Sequence, residues 1–257
     1  MILVVDIGNS AIKCGVVDTG FRVFARDMME THRGGNAVAL SDLIKRVSTS
    51  VLSIERSIVC SVVPSVTPAM TAAIERQLGT PPQIVNHQMR LPFNLSVPVP
   101  SQIGTDRFCA AAGAVGLKGK SAIVIDAGSA ITVDVVREGA YLGGMIVAGP
   151  ALALRALHQY ASQLPAIEYE RLEEAFPDTY DTTQHAMILG ASIGCVGAIR
   201  EAVKHLESSA GHTTRKFITG GFGGVLAPRL PQSWELDRDL TLKGLCVIAH
   251  LNRRKSD

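Results

Sequence analysis

A short apolar strand that ends in an aspartate-glycine turn occurs twice in this sequence, and this repeat limits the possible folds more than any other feature. In the first copy, residues 2–17, Asp6 precedes a turn and a returning strand; in the second, residues 121–136, Asp126 has the same place. The corresponding turn residues are Gly8 and Asn9 in the first copy and Gly128 and Ser129 in the second. Because such residues favour tight turns, each copy is predicted to form a hairpin. Two copies of one unit imply an internal duplication.

A second pair of segments supports the duplication. Residues 57–70 and 216–230 each contain a short strand-like run, a turn of small residues and a helix-like segment. Strands therefore alternate with helices in both halves, and we expect an α/β fold of two similar domains with a cleft between them. We predict domains at residues 1–115 and 116–257, with the joint near residues 113–120.

Several segments have the three- and four-residue apolar spacing of helices. The predicted helices are Ala37–Ser50, Val66–Leu78 and Thr183–Leu206. The last of them carries Gly190, Gly194 and Gly197 close to one face. Glycine in a helix costs about 1 kcal/mol relative to alanine, so close approach of another backbone is expected to compensate. Packing within the chain and a subunit interface explain these glycines equally well.

Composition narrows the class of protein. Of the 257 residues, 47% are hydrophobic, and 25 Lys and Arg stand against 23 Asp and Glu, so a globular protein is expected. The basic residues are scattered, which argues against a nucleic-acid partner. The five cysteines form no CxxC pair, which favours a reducing compartment and argues against a zinc site. With neither a signal peptide nor an apolar run near the length of a membrane span, we expect a cytoplasmic protein.

The first hairpin has the features of a phosphate-binding turn. Its backbone N–H groups and the side chains of Asn9 and Ser10 suit phosphate oxygens, and Lys13 on the returning strand adds a positive charge. Asp6 is placed to hold Mg²⁺ through water, since that ion keeps most of its hydration. The alternative is an ordinary hairpin turn with a solvated aspartate.

A glycine-rich turn follows the last strand of the second half. In TGGFGG, residues 219–224, the absence of side chains would let the flat ring of a nucleoside lie against the backbone. A flexible tight turn is the alternative. The run differs from the GxGxxG fingerprint, which would have to follow the first strand, and NAD binding is therefore not expected.

The segment GTDRF, residues 104–108, is the second candidate site. At the start of an apolar helix, Asp106 could act as a general base and Arg107 as an anion clamp. Alternatively, Asp106 only caps the helix and Arg107 is solvated.

Taken in order, these motifs resemble the type III pantothenate kinases over nearly the whole chain. The matching segments are DIGNS with Lys13, IVCSVVP, GTDR, DAGSAIT, GGMIVAGPALALRALHQYASQLP, TTQHAMILGASIG, ITGG and LTLKGL. The resemblance implies the duplicated ribonuclease-H-like fold of the actin-like ATPases, and usually a homodimer. It also implies transfer of phosphate from ATP to pantothenate, the first step of coenzyme A synthesis.

The resemblance assigns roles position by position. ATP-binding residues are Asp6, Ile7, Gly8, Asn9, Ser10, Ala11, Ile12, Lys13 and Ser129. Pantothenate-binding residues are Gly104, Thr105, Asp106, Arg107 and Thr183, with Asp106 as the proton acceptor. Asp126 falls where the family binds a monovalent cation, K⁺ or NH₄⁺, and Mg²⁺ accompanies the ATP.

The chain departs from the family pattern at four positions. Ser10 and Ser129 stand where threonine is more usual, and both keep a hydroxyl. Val97 stands where the family often has a substrate-contacting tyrosine, and Thr182 replaces an asparagine. Three other functions stay open at this point. One is a kinase for another small hydroxyl compound, and another is a non-catalytic nucleotide-binding regulator, which should have lost Asp6 or Asp106. The third is a chaperone-like ATPase.

Overall fold

The computed structural model shows two compact units. It describes residues 1–257 except 33, 35, 50, 52, 168–175, 211–213, 231–233 and 254–257. Unit 1 contains residues 1–120, 138–142 and those from Asp239 onward, and unit 2 contains residues 121–137 and 143–238. The domain division at residues 1–115 and 116–257 stays a prediction.

Unit 1 is built on a five-stranded mixed sheet. Its strands are β1 (Ile2–Ile7), β2 (Ala11–Val17), β3 (Val23–Glu30), β4 (Arg56–Ser61) and β5 (Gln83–Ile84). The spatial order is β3-β2-β1-β4-β5, with β1 antiparallel to β2 and parallel to β4. All six residues of β1 are buried, as expected for a central strand covered on both faces.

The predicted helices of this unit form with small changes at their ends. They are α1 (Ala37–Ser48) and α2 (Thr67–Leu78), which pack against each other. α1 begins where predicted because the Asn36 side chain accepts the N–H groups of Val38 and Ala39. Leu43, Ile44 and Met70 join the strand residues in one buried core.

The other two helices of unit 1 are α3 (Thr105–Lys118) and, from the C-terminal part of the chain, α7 (Leu240–Leu251). They lie so close that a Cβ on Gly244 would overlap the carbonyl oxygen of Cys109. α3 is also anchored through Phe108, which packs edge-on against the fully buried Tyr141 with ring centroids 5.4 Å apart. The short strand β6 (Asn94–Leu95) pairs in parallel with the segment that holds Tyr141. The start of α3 is therefore fixed by packing on two sides.

Unit 2 repeats the strand order of unit 1. Its strands are β7 (Ala122–Ala127), β8 (Ala130–Arg137), β9 (Ala140–Ala148, of which residues 143–148 belong to this unit), β10 (Arg215–Thr219) and β11 (Glu235–Leu236). Read from β9, the order is β9-β8-β7-β10-β11, with β7 antiparallel to β8 and parallel to β10. This order matches β3-β2-β1-β4-β5 strand for strand, which confirms the predicted duplication.

Among the described residues of unit 2, the α-helices are α4 (Pro150–Tyr160), α5 (Thr183–Ala210) and the single turn α6 (Gly223–Leu226). α5 starts at the predicted residue and extends beyond Leu206. It packs against α4 through Leu154, Met187 and Ile188. Contrary to the sequence-based expectation, its segment 183–208 is long and apolar enough to cross a membrane. Core helices of soluble proteins have the same length and composition, and α5 also packs against β8.

Candidate active site

The first predicted phosphate-binding turn is a closed hairpin. The Gly8 N–H donates to the Ala11 carbonyl at 3.0 Å, and the Thr31 hydroxyl donates to the Gly8 carbonyl at 2.7 Å. Asn9 and Ser10 are exposed at the tip. The side chains of Ile7 and Ile12 are buried, which leaves the backbone as the part of these residues that can reach a nucleotide.

Asp6 lies one residue before the end of β1, inside the sheet rather than in solvent. Only 6% of it is exposed, so the alternative of a solvated aspartate is wrong. Asp6 stands directly opposite Lys13 on β2 and Cys60 on β4. Residues opposite each other across strands share a face, so these three side chains point to the same side of the sheet.

The GTDR segment opens α3, but Asp106 is not the helix cap. The helix begins at Thr105 with Gly104 in the cap position, and Asp106 is its second residue. Arg107 is only 8% exposed, so the alternative of a cap beside a solvated arginine is wrong in both parts. The Asp106 Oδ1 accepts the Arg107 N–H at 2.8 Å. A Cβ on Gly104 would lie 2.5 Å from the same oxygen, so the carboxylate packs directly on the glycine.

The electrostatic surroundings suit Asp106 to accept a proton. Burial raises the pKa of Asp106, while its bond from the Arg107 N–H and the charges of Arg107 and Lys13 oppose the rise. A raised pKa makes a carboxylate a stronger base at the pH where it is still ionised. Because the charge of Lys13 acts on Asp106, the hairpin and the GTDR turn belong to one polar region of unit 1.

Sequence reasoning missed two cysteines in this region. The Cys60 thiol lies 3.3 Å from the Thr105 hydroxyl, which donates to the Ser61 carbonyl at 3.2 Å. Cys60 also hydrogen-bonds to Cys109, and this bond together with burial holds the pKa of Cys60 well above its usual range. Burial likewise raises the pKa of Cys109. No local sequence pattern reports the register of β1 and β4 that places Cys60 opposite Asp6.

In unit 2 the second hairpin and the glycine-rich turn meet. The Phe222 N–H donates to the Ala127 carbonyl at 2.9 Å, and the Gly149 N–H donates to the Ser129 carbonyl at 3.0 Å. Gly220 has a φ of +86°, and a Cβ there would lie 2.5 Å from the Ala127 backbone. Half-buried Asp126 is therefore beside the glycine turn, with Thr132 and Thr219 opposite it on the neighbouring strands.

Thr183 is the exposed first residue of α5. The preceding residue, Thr182, caps the helix, because its hydroxyl accepts the His185 N–H at 3.1 Å. Asparagine and threonine both cap helices well, which explains why Thr182 can stand where the resemblance has asparagine.

Comparison with known proteins decides the family. The family model described as type III pantothenate kinase matches residues 2–205. The chain belongs to the type III pantothenate kinase family. It is 31% identical over 261 residues to the type III pantothenate kinase of Agathobacter rectalis, which covers 99% of each protein. It is also 31% identical to that of Thermomicrobium roseum over 250 residues, 95% of each.

Solved structures agree on the fold. The ROK family glucokinase of Streptomyces griseus, in complex with glucose and AMPPNP, superposes with a TM-score of 0.53 over 97% of this chain and 98% of its own. Its sequence identity is 15%, so this likeness concerns the fold alone. With the repeated strand order, it identifies this type III pantothenate kinase family member as a duplicated ribonuclease-H-like protein of the actin-like ATPase class.

Proposed function

We propose that this protein transfers the γ-phosphate of ATP to the primary hydroxyl of pantothenate, giving 4′-phosphopantothenate and ADP. The observation that carries the proposal is the GTDR turn, where partly buried Asp106 with a raised pKa adjoins buried Arg107 in a type III pantothenate kinase. Both Asp6 and Asp106 are present, so nothing favours a non-catalytic regulator.

Asp106 supplies the base. A primary alcohol attacks phosphorus effectively only when its proton can leave as the P–O bond forms, and Asp106 accepts that proton. Gly104, Thr105 and Arg107 bind pantothenate next to the base, and Thr183 contacts the same substrate. Since phosphoryl transfer depends mainly on positioning and charge neutralisation, no covalent bond to the protein is needed.

The segment from Asp6 to Lys13 binds the phosphates of ATP through backbone N–H groups, exposed Asn9 and Ser10, and Lys13. Asp6 holds Mg²⁺ through water, and its buried carboxylate, opposite Lys13, fits an ion that prefers oxygen ligands. When bound, Mg²⁺ neutralises charge on the phosphates.

Asp126 binds a monovalent cation, K⁺ or NH₄⁺, and Ser129 contacts ATP. The setting of Asp126 supports this, because threonines stand opposite it on both neighbouring strands. One of them, Thr219, has a buried hydroxyl with no hydrogen-bond partner among the described residues. The cation supplies positive charge where a carboxylate would otherwise repel the triphosphate.

Activity should therefore depend on the monovalent cation. After thorough removal of potassium, we expect rates in K⁺ or NH₄⁺ salts to exceed the rate in Na⁺ alone, and Asp126→Asn should lose this difference. Initial rates at constant ionic strength and saturating Mg²⁺-ATP measure the effect. Equal wild-type rates in the three salts would contradict a cation site at Asp126.

We further propose that the protein is a cytoplasmic homodimer. All five cysteines are free and buried, as suits a reducing compartment. On α5, Gly190, Gly194 and Gly197 are exposed, and a Cβ on any of them would meet no atom within 4 Å among the described residues. Intrachain packing therefore does not account for these glycines, which supports the subunit-interface alternative.

A charge placed on this face of α5 should prevent dimer formation. Ile193 lies between the glycines and is 56% exposed, so Ile193→Glu would bury a carboxylate at the interface. We expect a dimer for the wild type and a monomer for Ile193→Glu in sedimentation velocity. Val38→Glu, on a residue of α1 that is 71% exposed, is the matched control and should stay dimeric. If both variants remained dimers, this face of α5 would be excluded as the subunit interface.

The identity of the phosphate acceptor is tested by measuring ADP release from ATP with pantothenate and with a panel of other small alcohols, sugars and acetate. We expect ADP formation that depends on pantothenate. Folded enzyme that phosphorylates a sugar or acetate and leaves pantothenate unchanged would overturn the proposal in favour of another small-molecule kinase.

A further inference from the structure

We propose that Cys60 is a positioning residue, whose thiol fixes the first turn of α3 and so orients the carboxylate of Asp106. This inference rests on the proposed function, because it concerns the base of that reaction. Its basis is a chain of hydrogen bonds that links β4 to α3 inside unit 1.

The order of donors along this chain follows from the groups present. The Ser61 carbonyl can only accept a hydrogen bond, so the Thr105 hydroxyl donates its single hydrogen to that carbonyl. The Thr105 oxygen is then free to accept the Cys60 S–H at 3.3 Å. Each group donates once, and the chain ends on backbone that belongs to the sheet.

The two thiols in this chain of hydrogen bonds stay uncharged. The hydrogen bond to Cys109 and burial raise the pKa of Cys60, and burial raises the pKa of Cys109. Both cysteines therefore keep their protons, and neither is a nucleophile at neutral pH. Their role is to hold neighbouring groups.

Cys60 holds the first turn of α3, which contains the proposed base, Asp106. Thr105 directly precedes Asp106, and Asp106 Oδ1 is fixed between the Arg107 N–H and the Cα of Gly104. If the Thr105 hydroxyl lost its donor from Cys60, the first turn of α3 would be tied to β4 by one hydrogen bond fewer. Asp106 would then sample positions further from the substrate hydroxyl, and a displacement of about 1 Å can cost up to about 10²-fold in rate.

Cys60→Val and Cys60→Ser separate positioning from simple core filling. Valine fills the space but cannot donate, whereas serine keeps a donor. We expect Cys60→Val to lower kcat about three- to tenfold, the size of one hydrogen bond, with the KM for ATP unchanged. Cys60→Ser should recover most of the loss. Cys246→Val is the matched control, since this buried thiol bonds to the Asp18 carbonyl at the other end of the β1–β2 hairpin; its kcat should equal the wild-type value.

A double-mutant cycle tests whether Cys60 acts through Asp106. In the Asp106→Asn background, Cys60→Val should have almost no further effect on kcat. A second readout needs no turnover: in protein with ¹³C-labelled aspartate carboxyls, Asp106 is assigned by the signal lost in Asp106→Asn. Its raised pKa should fall toward the ordinary value in Cys60→Val, because a looser turn admits water, and should persist in Cys60→Ser.

Unchanged kcat and an unchanged Asp106 pKa in Cys60→Val would overturn the inference, as would an equal loss in both backgrounds. A failure of the proposed function is distinct, since it would appear as wild-type enzyme that does not phosphorylate pantothenate, while the carboxyl titration still decides the role of Cys60.

Discussion

Replacing Asp106 with asparagine is expected to lower kcat by about 10² to 10⁴, the usual contribution of a general base. Asparagine keeps the size of the side chain and an Oδ1 that can accept the Arg107 N–H, so the GTDR turn should persist. What is lost is proton acceptance. Steady-state kinetics with pantothenate measure the loss, and calorimetric titration should find ATP binding near normal.

The pH dependence gives this prediction a second readout. Burial raises the pKa of Asp106, so in the wild type kcat/KM should fall with decreasing pH at a value above the ordinary aspartate pKa. This fall in kcat/KM at low pH should be absent from the residual activity of Asp106→Asn. Because burial of the ionised form opposes folding at neutral pH, the variant should also be at least as stable as the wild type. Asp42→Asn, at an exposed site on α1, should change neither property.

Replacing Gly244 with alanine is expected to destabilise unit 1 by at least about 3 kcal/mol, or to prevent folding, since overpacking commonly costs about 1–3 kcal/mol even where side chains can adjust. Here the added methyl group would overlap the Cys109 carbonyl oxygen and lie 2.8 Å from the Gly113 nitrogen, so backbone must move. Urea denaturation followed by circular dichroism measures the change in the free energy of unfolding.

Gly34→Ala provides the comparison for Gly244→Ala. A Cβ on Gly34 meets no atom within 4 Å among the described residues, so the free energy of unfolding should change by less than about 0.5 kcal/mol. Similar stability for the two variants would show that α3 and α7 are not in backbone contact.

The parts of the fold that could be predicted are those set by neighbouring residues. Both hairpins follow from apolar strands and small turn residues a few positions apart, and α1 begins where predicted because Asn36 can cap it. The common strand order followed from the repeat itself, since two copies of one unit fold alike.

The parts that could not be predicted depend on contacts between distant segments. Cys60 reaches Asp6 only through the register of two strands about fifty residues apart, and no local pattern reports that register. Likewise, the apolar pattern of α7 predicts burial but not the helix it packs on. At the GTDR turn, one of the two alternatives made Asp106 the helix cap, whereas the backbone places Gly104 there.

The most direct test of the central claim is identification of the product. Full-length enzyme with Mg²⁺-ATP, K⁺ and pantothenate should yield 4′-phosphopantothenate and ADP in equal amounts, detected by ³¹P NMR and mass spectrometry, and Asp106→Asn should form these products about 10² to 10⁴ times more slowly. ADP accompanied only by inorganic phosphate, with pantothenate recovered unchanged from folded enzyme, would contradict the account.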